Sequence, residues 1–304
     1  MSHAITLEAL RVLNAIDRRG SFLAASEALF KVPSALSYTV QKLETDLGVS
    51  LFDRTRQRAQ LTVAGRLVLE RGRLLLQAAE DLEEAVRQLE SGWETTLRIA
   101  RDTVLPMGLL LQQVGLFNQL GRQVVVQISE EVLGGGWDAL VAGRCDLTLG
   151  ASGDIPKGIF EYRVLGDIEF VFAVAADHPL TQVAGPVDAA AIAEFPTVIA
   201  ADTSITAPAR SSGLLASRQS LRVANMEAKI EAQRMGVGVG FLPRHMAAPL
   251  LARGELVALE CSVPRPPMPL YMAWRKHQSG RALAWFIEAC ARVNWLAPLP
   301  ASRD

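Results

Sequence analysis

Cysteine is scarce in this chain of 304 residues: there are three, Cys145, Cys261 and Cys290, an odd number and far apart. No two stand at metal-ligand spacing. That removes a disulfide framework and a thiolate metal site, and leaves free thiols in a reducing compartment. The four histidines, His3, His178, His245 and His277, show no ligand spacing and have no companion Cys or Glu motif. No serine sits in G-x-S-x-G and there is no phosphate-cradling P-loop. Neither enzyme activity, metal nor cofactor is expected. No uninterrupted apolar run reaches membrane-spanning length. The start, MSHAITLEALRVLNAIDRRG, lacks the basic, apolar and small-residue order of a signal peptide, so the expected location is the cytoplasm. An excess of charge is also missing: Lys and Arg total 31, Asp and Glu 32, for a net charge of −1. The whole molecule is not a polycation, so a nucleic-acid partner has to be argued from local charge.

What is present is apolar patterning. Half the residues are apolar and 21% are charged, as in a soluble globular protein. The length suggests two or three domains. Thr6 is a good cap for a first helix with Leu7, Leu10, Val12, Leu13 and Ile16 as its stripe, ended by Gly20. Two helical patterns then meet at a break in Phe22 to Leu43, SFLAASEALFKVPSALSYTVQKL when read from Ser21. Pro33 fits the first position of the second helix and would break its interior. Ala35, Leu36, Val40 and Leu43 form that helix's inner face. Ser34, Ser37, Tyr38, Gln41 and Lys42 face outward, a set suited to base edges and phosphates in a major groove. An ordinary surface helical hairpin would show the same periodicity. Residues 1–60 hold eight Arg and Lys against six Asp and Glu, a margin of two. More telling are Arg54, Arg56 and Arg58, which alternate and so share one side of a two-stranded ribbon, a wing able to lie along phosphates.

SALSYTVQKLETDLGVSLFDR followed by LTVAG resembles the N-terminal signature of LysR-type bacterial transcriptional regulators. The resemblance spans about sixty residues, combines a spacing, a turn and a wing, and is more specific than a lone helix-turn-helix. It implies a helix-turn-helix from Phe22 to Gln41 in a winged domain over 1–61, and double-stranded DNA as partner. The family commonly has a basic residue where this chain has Tyr38.

Thr62 can cap a long helix to about Glu90, with Gly65 and Gly72 weakening it a little. Val68, Leu75, Ala78, Leu82, Ala85 and Leu89 follow heptad steps, Arg71 is the odd member, and Leu67 and Leu74 form a second stripe. The helix either packs on its own domain or dimerises. The resemblance favours a dimerising linker over 62–92, with homodimers presenting two recognition helices, tetramers usual in the family, and RNA polymerase as a further possible partner.

From Thr96, the short β-favouring runs LRIA, VVVQIS, DLTLG, FVFAVA, TVIA and VGFL alternate with helical patterns, and PLYMAW and a closing helix follow. This indicates an α/β region with mainly parallel sheets. The resemblance implies a two-lobed effector domain over 93–304, similar to periplasmic binding proteins, with lobe one at 93–165 and 269–304 and lobe two at 166–268. Its crossover strands are expected near Glu161–Leu165 and Pro269–Met272. Gly236, Gly238 and Gly240 follow a helix and precede a strand, the reverse of a dinucleotide fingerprint, and read as a tight turn.

Ligands of open α/β sheets sit beyond the strand carboxyl ends. Thr103, Thr203 and Ser204 place hydroxyls there near helix starts, where N–H groups favour an anion or carbonyl. Val104, Leu133 and Phe241 would add apolar walls, which points to a small apolar or aromatic effector. The fold expected is therefore α/β behind an all-α winged helix-turn-helix and a long linker helix. The function expected is sequence-specific transcriptional regulation under a small-molecule effector. The alternative is a two-lobed solute-binding protein without DNA binding.

Overall fold

A computed structural model describes residues 4–53, 60–158, 160–208, 210, 217, 219–278 and 280–297, with backbone alone for 81, 84, 85 and 87–91. The chain forms two compact units, Met1–Leu89 and Glu90–Asp304.

The first unit opens with α1 (Leu7–Arg19), capped by Thr6, whose hydroxyl accepts the Ala9 N–H, and ended by Gly20 at φ 72°. Ser21 caps α2 (Phe22–Ala28) in the same way. Pro33 begins α3 (Pro33–Leu47), which stops at Gly48, φ 71°. The ribbon of β1 (Phe52–Asp53) and β2 (Gln60–Leu61) is antiparallel. Leu13, Ile16, Ala25, Leu36, Val40, Leu43 and Leu51 fill a dry core. Leu7, expected in the stripe, is exposed, because it occupies the first helical position at the edge of the bundle.

The long helix α4 (Val63–Ser91) starts after Thr62, whose hydroxyl accepts the Gly65 N–H. Two glycines let it approach: a Cβ on Gly65 would lie 2.1 Å from the Leu51 carbonyl oxygen, and one on Gly72 2.6 Å from the Leu10 side chain. Arg73 adds bonds to Asn14 and Asp17. Leu69 and Leu76 are buried, and neither belongs to the heptad reading. Leu67, Leu74, Leu75, Leu82 and Val86 are exposed and leave an apolar edge on the subunit. The side chains of Ala85 and Leu89 lie outside the described residues.

In chain order, the second unit holds β3 (Thr96–Asp102), α5 (Met107–Asn118), β4 (Val125–Glu131), α6 (Gly135–Val141), β5 (Leu147–Ser152), β6 (Phe160–Ile168) and β7 (Phe170–Ala175). There follow α7 (Ala189–Ala193), β8 (Thr197–Ala200), β9 (Ser220–Val223), α8 (Met226–Arg234) and β10 (Gly240–Pro243). The unit ends with α9 (Arg244–Ala252), β11 (Leu256–Leu259), β12 (Met268–Arg275) and α10 (Arg281–Ala291).

One lobe is built on the sheet β4-β3-β5-β12-β6. The other has β10-β7-β11 and the pair β8-β9, linked through a bridge from Thr197 to Val239. The expected mainly parallel sheets are not found. β3 is parallel to β4 and β5, and β8 to β9, but β12 is antiparallel to β5 and β6, and β10 and β11 to β7. The cause is the double crossing between lobes. β6 leaves and β12 returns side by side, so they run in opposite directions, and periodicity carries no information about direction. Gly236, φ 70°, forms the turn between α8 and β10.

Candidate DNA-reading face and effector cleft

On α3 the helical period separates two faces. Leu36, Val40 and Leu43 are buried, while Ser34, Ser37, Tyr38, Gln41 and Lys42 are all exposed at i, i+3, i+4, i+7 and i+8. Among the described residues no hydrogen bond or ion pair ties those five side chains to the rest of the unit. The helix is held from beneath. Glu44 accepts the N–H groups of Leu51 and Phe52, fixing the following turn against α3. Arg54, Arg56 and Arg58 lie outside the described residues.

In the second unit the loops after β3 and β4 meet α8 and Phe241 of the other lobe around a narrow cleft that, as it stands, has about 20 Å³ for the centre of a water-sized sphere, room for about one water. Val104, Leu133 and Phe241 line it. Leu133 adopts φ 57°, a backbone state rare for a residue with a Cβ, and its N–H donates to Asp102. The structure puts the three expected hydroxyls elsewhere. Thr103 is buried and accepts the Met226 N–H at the start of α8. The Thr203 hydroxyl donates to Glu131 and accepts the Val132 N–H. Ser204 bonds to Asp202.

Two of these contacts are ties between lobes, and others join them. Asp138 on α6 accepts N–H groups from Ile205, Thr206 and Ala207 and the Thr206 hydroxyl, and is paired with Arg144 at 2.9 Å. Burial works to raise its pKa, but these donors outweigh it and hold the carboxyl at about 2. His245 Nε2 donates to the Val104 carbonyl at 2.9 Å, and Arg210 donates to the Ser152 carbonyl at 2.7 Å. The lobes are thus drawn together around the cavity.

Sequence reasoning missed the polar lining. Asp102 has its oxygens on the N–H groups of Val104 and Leu133, and burial pushes it up to about 7 despite those bonds and the nearby Arg101 charge. Lys229 and Arg265 also line the cavity. Lys229 sits in MEAKIEAQR, which reads as an ordinary charged helix, and nothing in that pattern marks one lysine as turned inward.

Comparisons with known proteins cover both units. Residues 7–66 match the bacterial regulatory helix-turn-helix protein domain of the lysR family, and residues 90–295 match the LysR substrate binding domain. YeeY of Escherichia coli K12, an HTH-type transcriptional regulator, is 36% identical over 299 residues, covering 98% of this chain and 97% of its own. ArgP from Mycobacterium tuberculosis superposes with TM-score 0.61 at 23% identity, over 93% of this chain and 95% of that one. Full-length LysG of Corynebacterium glutamicum with bound effector Arg gives TM-score 0.54 at 25% identity, over 94% and 97%. A solute-binding protein without DNA binding is not favoured, because the helix-turn-helix match begins at residue 7. With a match in each unit and relatives along nearly its whole length, the chain belongs to the LysR family of DNA-binding, effector-responsive transcriptional regulators, and it is not an enzyme.

Proposed function

We propose that two or four copies assemble through the exposed apolar edge of α4 and read paired half-sites with α3. Ser34, Ser37, Tyr38 and Gln41 would meet base edges, while Lys42 and the wing residues Arg54, Arg56 and Arg58 would meet phosphates. The observation that carries this reading is the face of α3: five polar or amphipathic side chains, all exposed, over a buried apolar stripe. An effector would sit in the cavity walled by Val104, Leu133 and Phe241 and would need different affinities for open and closed lobes. Thr103 and Thr203 would act at its margins, through the ties that close it, and Ser204 beside them on the loop that Asp202 orders. LysG, solved with its bound effector, supports a small-molecule ligand. Action in the cytoplasm beside RNA polymerase belongs to the same reading, with no cofactor besides the effector.

The test is genomic footprinting of the intact protein, then binding to the mapped site over a salt series. Lys42→Ala should weaken binding on all sequences and reduce the salt slope by about one. An unchanged slope removes Lys42 from the phosphate contacts. Footprints without two-fold symmetry reject the paired arrangement.

A further inference from the structure

We propose that the effector is a small organic acid whose carboxylate is held by Lys229 and Arg265 and whose apolar body lies against Val104, Leu133 and Phe241 when the lobes stand further apart than they do here. This rests on the cavity being the effector site.

Lys229 lies in the middle of α8 with 5% of its surface exposed, and it lines the cavity. Among the described residues it has no hydrogen-bond or ion-pair partner. The other buried charges of this unit each have a counter-charge or hydrogen-bond partner, although Arg101 keeps its Nε without one. Arg101 meets Glu130 and Glu227; Asp146 meets Arg98; Glu94 accepts the N–H groups of Ala282 and Leu283; Glu131 meets Thr203 and Arg144; Asp138 has the donors described above. Lys229 is the exception.

Its neighbour is a second cation. Arg265 lines the same cavity, lays its guanidinium over the Phe170 ring at 4.4 Å, and leaves a buried Nε without a partner. Burial and then the Arg265 charge press the Lys229 ammonium down to about 8. Asp102, the acid on the wall, already has an oxygen on each of two backbone N–H groups. Two cations with donors unspent, at a cavity whose remaining polar lining is Asp102 and Ser152, match a planar carboxylate, which accepts from both. Val104, Leu133, Phe241 and Met268 offer mostly apolar surface for the rest of the ligand. The missing counter-charge thus defines the ligand better than the hydroxyls do, since those of Thr103 and Thr203 are engaged in lobe–lobe bonds and that of Ser204 on Asp202.

The experiment uses the full chain at pH 7 with butyrate, hexanoate, benzoate and phenylacetate, each beside its neutral amide, and with inorganic phosphate. Calorimetry and thermal shift read binding. At least one acid should bind, with its amide at least tenfold weaker. Lys229→Met and Arg265→Gln should each weaken that acid about tenfold or more, and Lys229→Arg should retain most of the affinity. The proposal is overturned if no acid binds, if phosphate alone binds, if acid and amide bind equally, or if Lys229→Met binds the acid normally. Phe241→Trp, which fills the cavity, separates the two levels. Charge-blind binding that Phe241→Trp abolishes leaves the cleft standing and removes the carboxylate. Binding that Phe241→Trp leaves untouched lies elsewhere and removes the cleft as well.

Discussion

The two units bury different chemistry. Among the described residues the DNA-reading unit buries a single polar side chain, Ser26, under its apolar core. The effector unit buries Glu94, Arg101, Asp102, Glu131, Asp138, Asp146 and Lys229. A core of Leu, Ile, Val and Ala is held by area and fit, has one good packing, and responds little to local charge. Buried charges and directed hydrogen bonds are stronger or weaker according to whether each partner is in place, and they are costly when half made. On the proposed function, the first unit would serve as a platform and the polar ties of the second would let a ligand change the balance between lobe arrangements.

The largest effect expected from this contrast is at Asp138. Asp138→Ala leaves three N–H groups and the Thr206 hydroxyl without their acceptor and Arg144 with only its 3.4 Å contact to Glu131, and should cost roughly 3–5 kcal/mol in urea unfolding of the effector unit. The reader's own transition should not move. The pH dependence follows from the carboxyl lying at about 2 in the folded protein against 3.8 as its ordinary value. A depressed acid contributes fully above the ordinary value and loses its contribution as pH falls through about 4 toward 2. The gap between wild type and Asp138→Asn should accordingly close in that window. A loss below about 1 kcal/mol at pH 7 would mean that polar ties do not hold the lobes, and the contrast between the units would fail.

Second in size, and opposite in sign, is Lys229→Met. A lysine at about 8, where 10.5 is ordinary, is penalised when charged, by an amount on the order of 3 kcal/mol. Methionine keeps much of the volume without the charge, so the ligand-free protein should gain on the order of 2–3 kcal/mol while losing acid binding. The penalty on wild type is complete below pH 8 and is relieved as pH rises from 8 to about 10.5, so the advantage of Lys229→Met should shrink there. A variant less stable than wild type at pH 7 would show that the ammonium has a partner in the free protein.

The same contrast explains what could be read from the chain. Ser34, Ser37, Tyr38, Gln41 and Lys42 were legible because a helix of local contacts obeys its period, and Pro33 and Gly48 mark its ends. Most strand runs of the effector unit were legible too; SLRV and LVAL were not, and β6 was expected only from the family resemblance. The direction of β6 and β12 was not, because pairing across a lobe junction leaves no trace in periodicity. Thr103 and Thr203 stood out as hydroxyls beside helix starts, but their partners come from the opposite lobe, 123 and 72 residues away. In α4 the heptad reading passed over Leu69 and Leu76, since two glycines turn that edge toward α1 and the Leu51 turn. Lys229 differs from its neighbours on α8 only by what the rest of the fold sets around it.

The smallest effect concerns backbone strain, which each unit keeps at one described non-glycine residue: Phe30 at φ 53° and Leu133 at φ 57°. Leu133 has compensation, an N–H bond to Asp102 and a place on the cavity wall. Phe30 has little. It closes α2 where glycine is usual, its N–H reaches the Glu27 carbonyl at 3.2 Å, and its ring is 97% exposed, packing on nothing in the unit. Phe30→Gly removes the clash of a Cβ in the left-handed region and restores some chain entropy to the unfolded state. The net result should be a gain of about 1 kcal/mol in the reader's stability. Affinity for the mapped site, measured on the same protein, then decides why a strained aromatic stands just before α3. If affinity holds while stability rises, the ring has no part in binding, and the reader is unstrained by function as well as dry in its core. If affinity falls, Phe30 meets the duplex, and the reader, like the effector unit, keeps its strain where it touches a ligand.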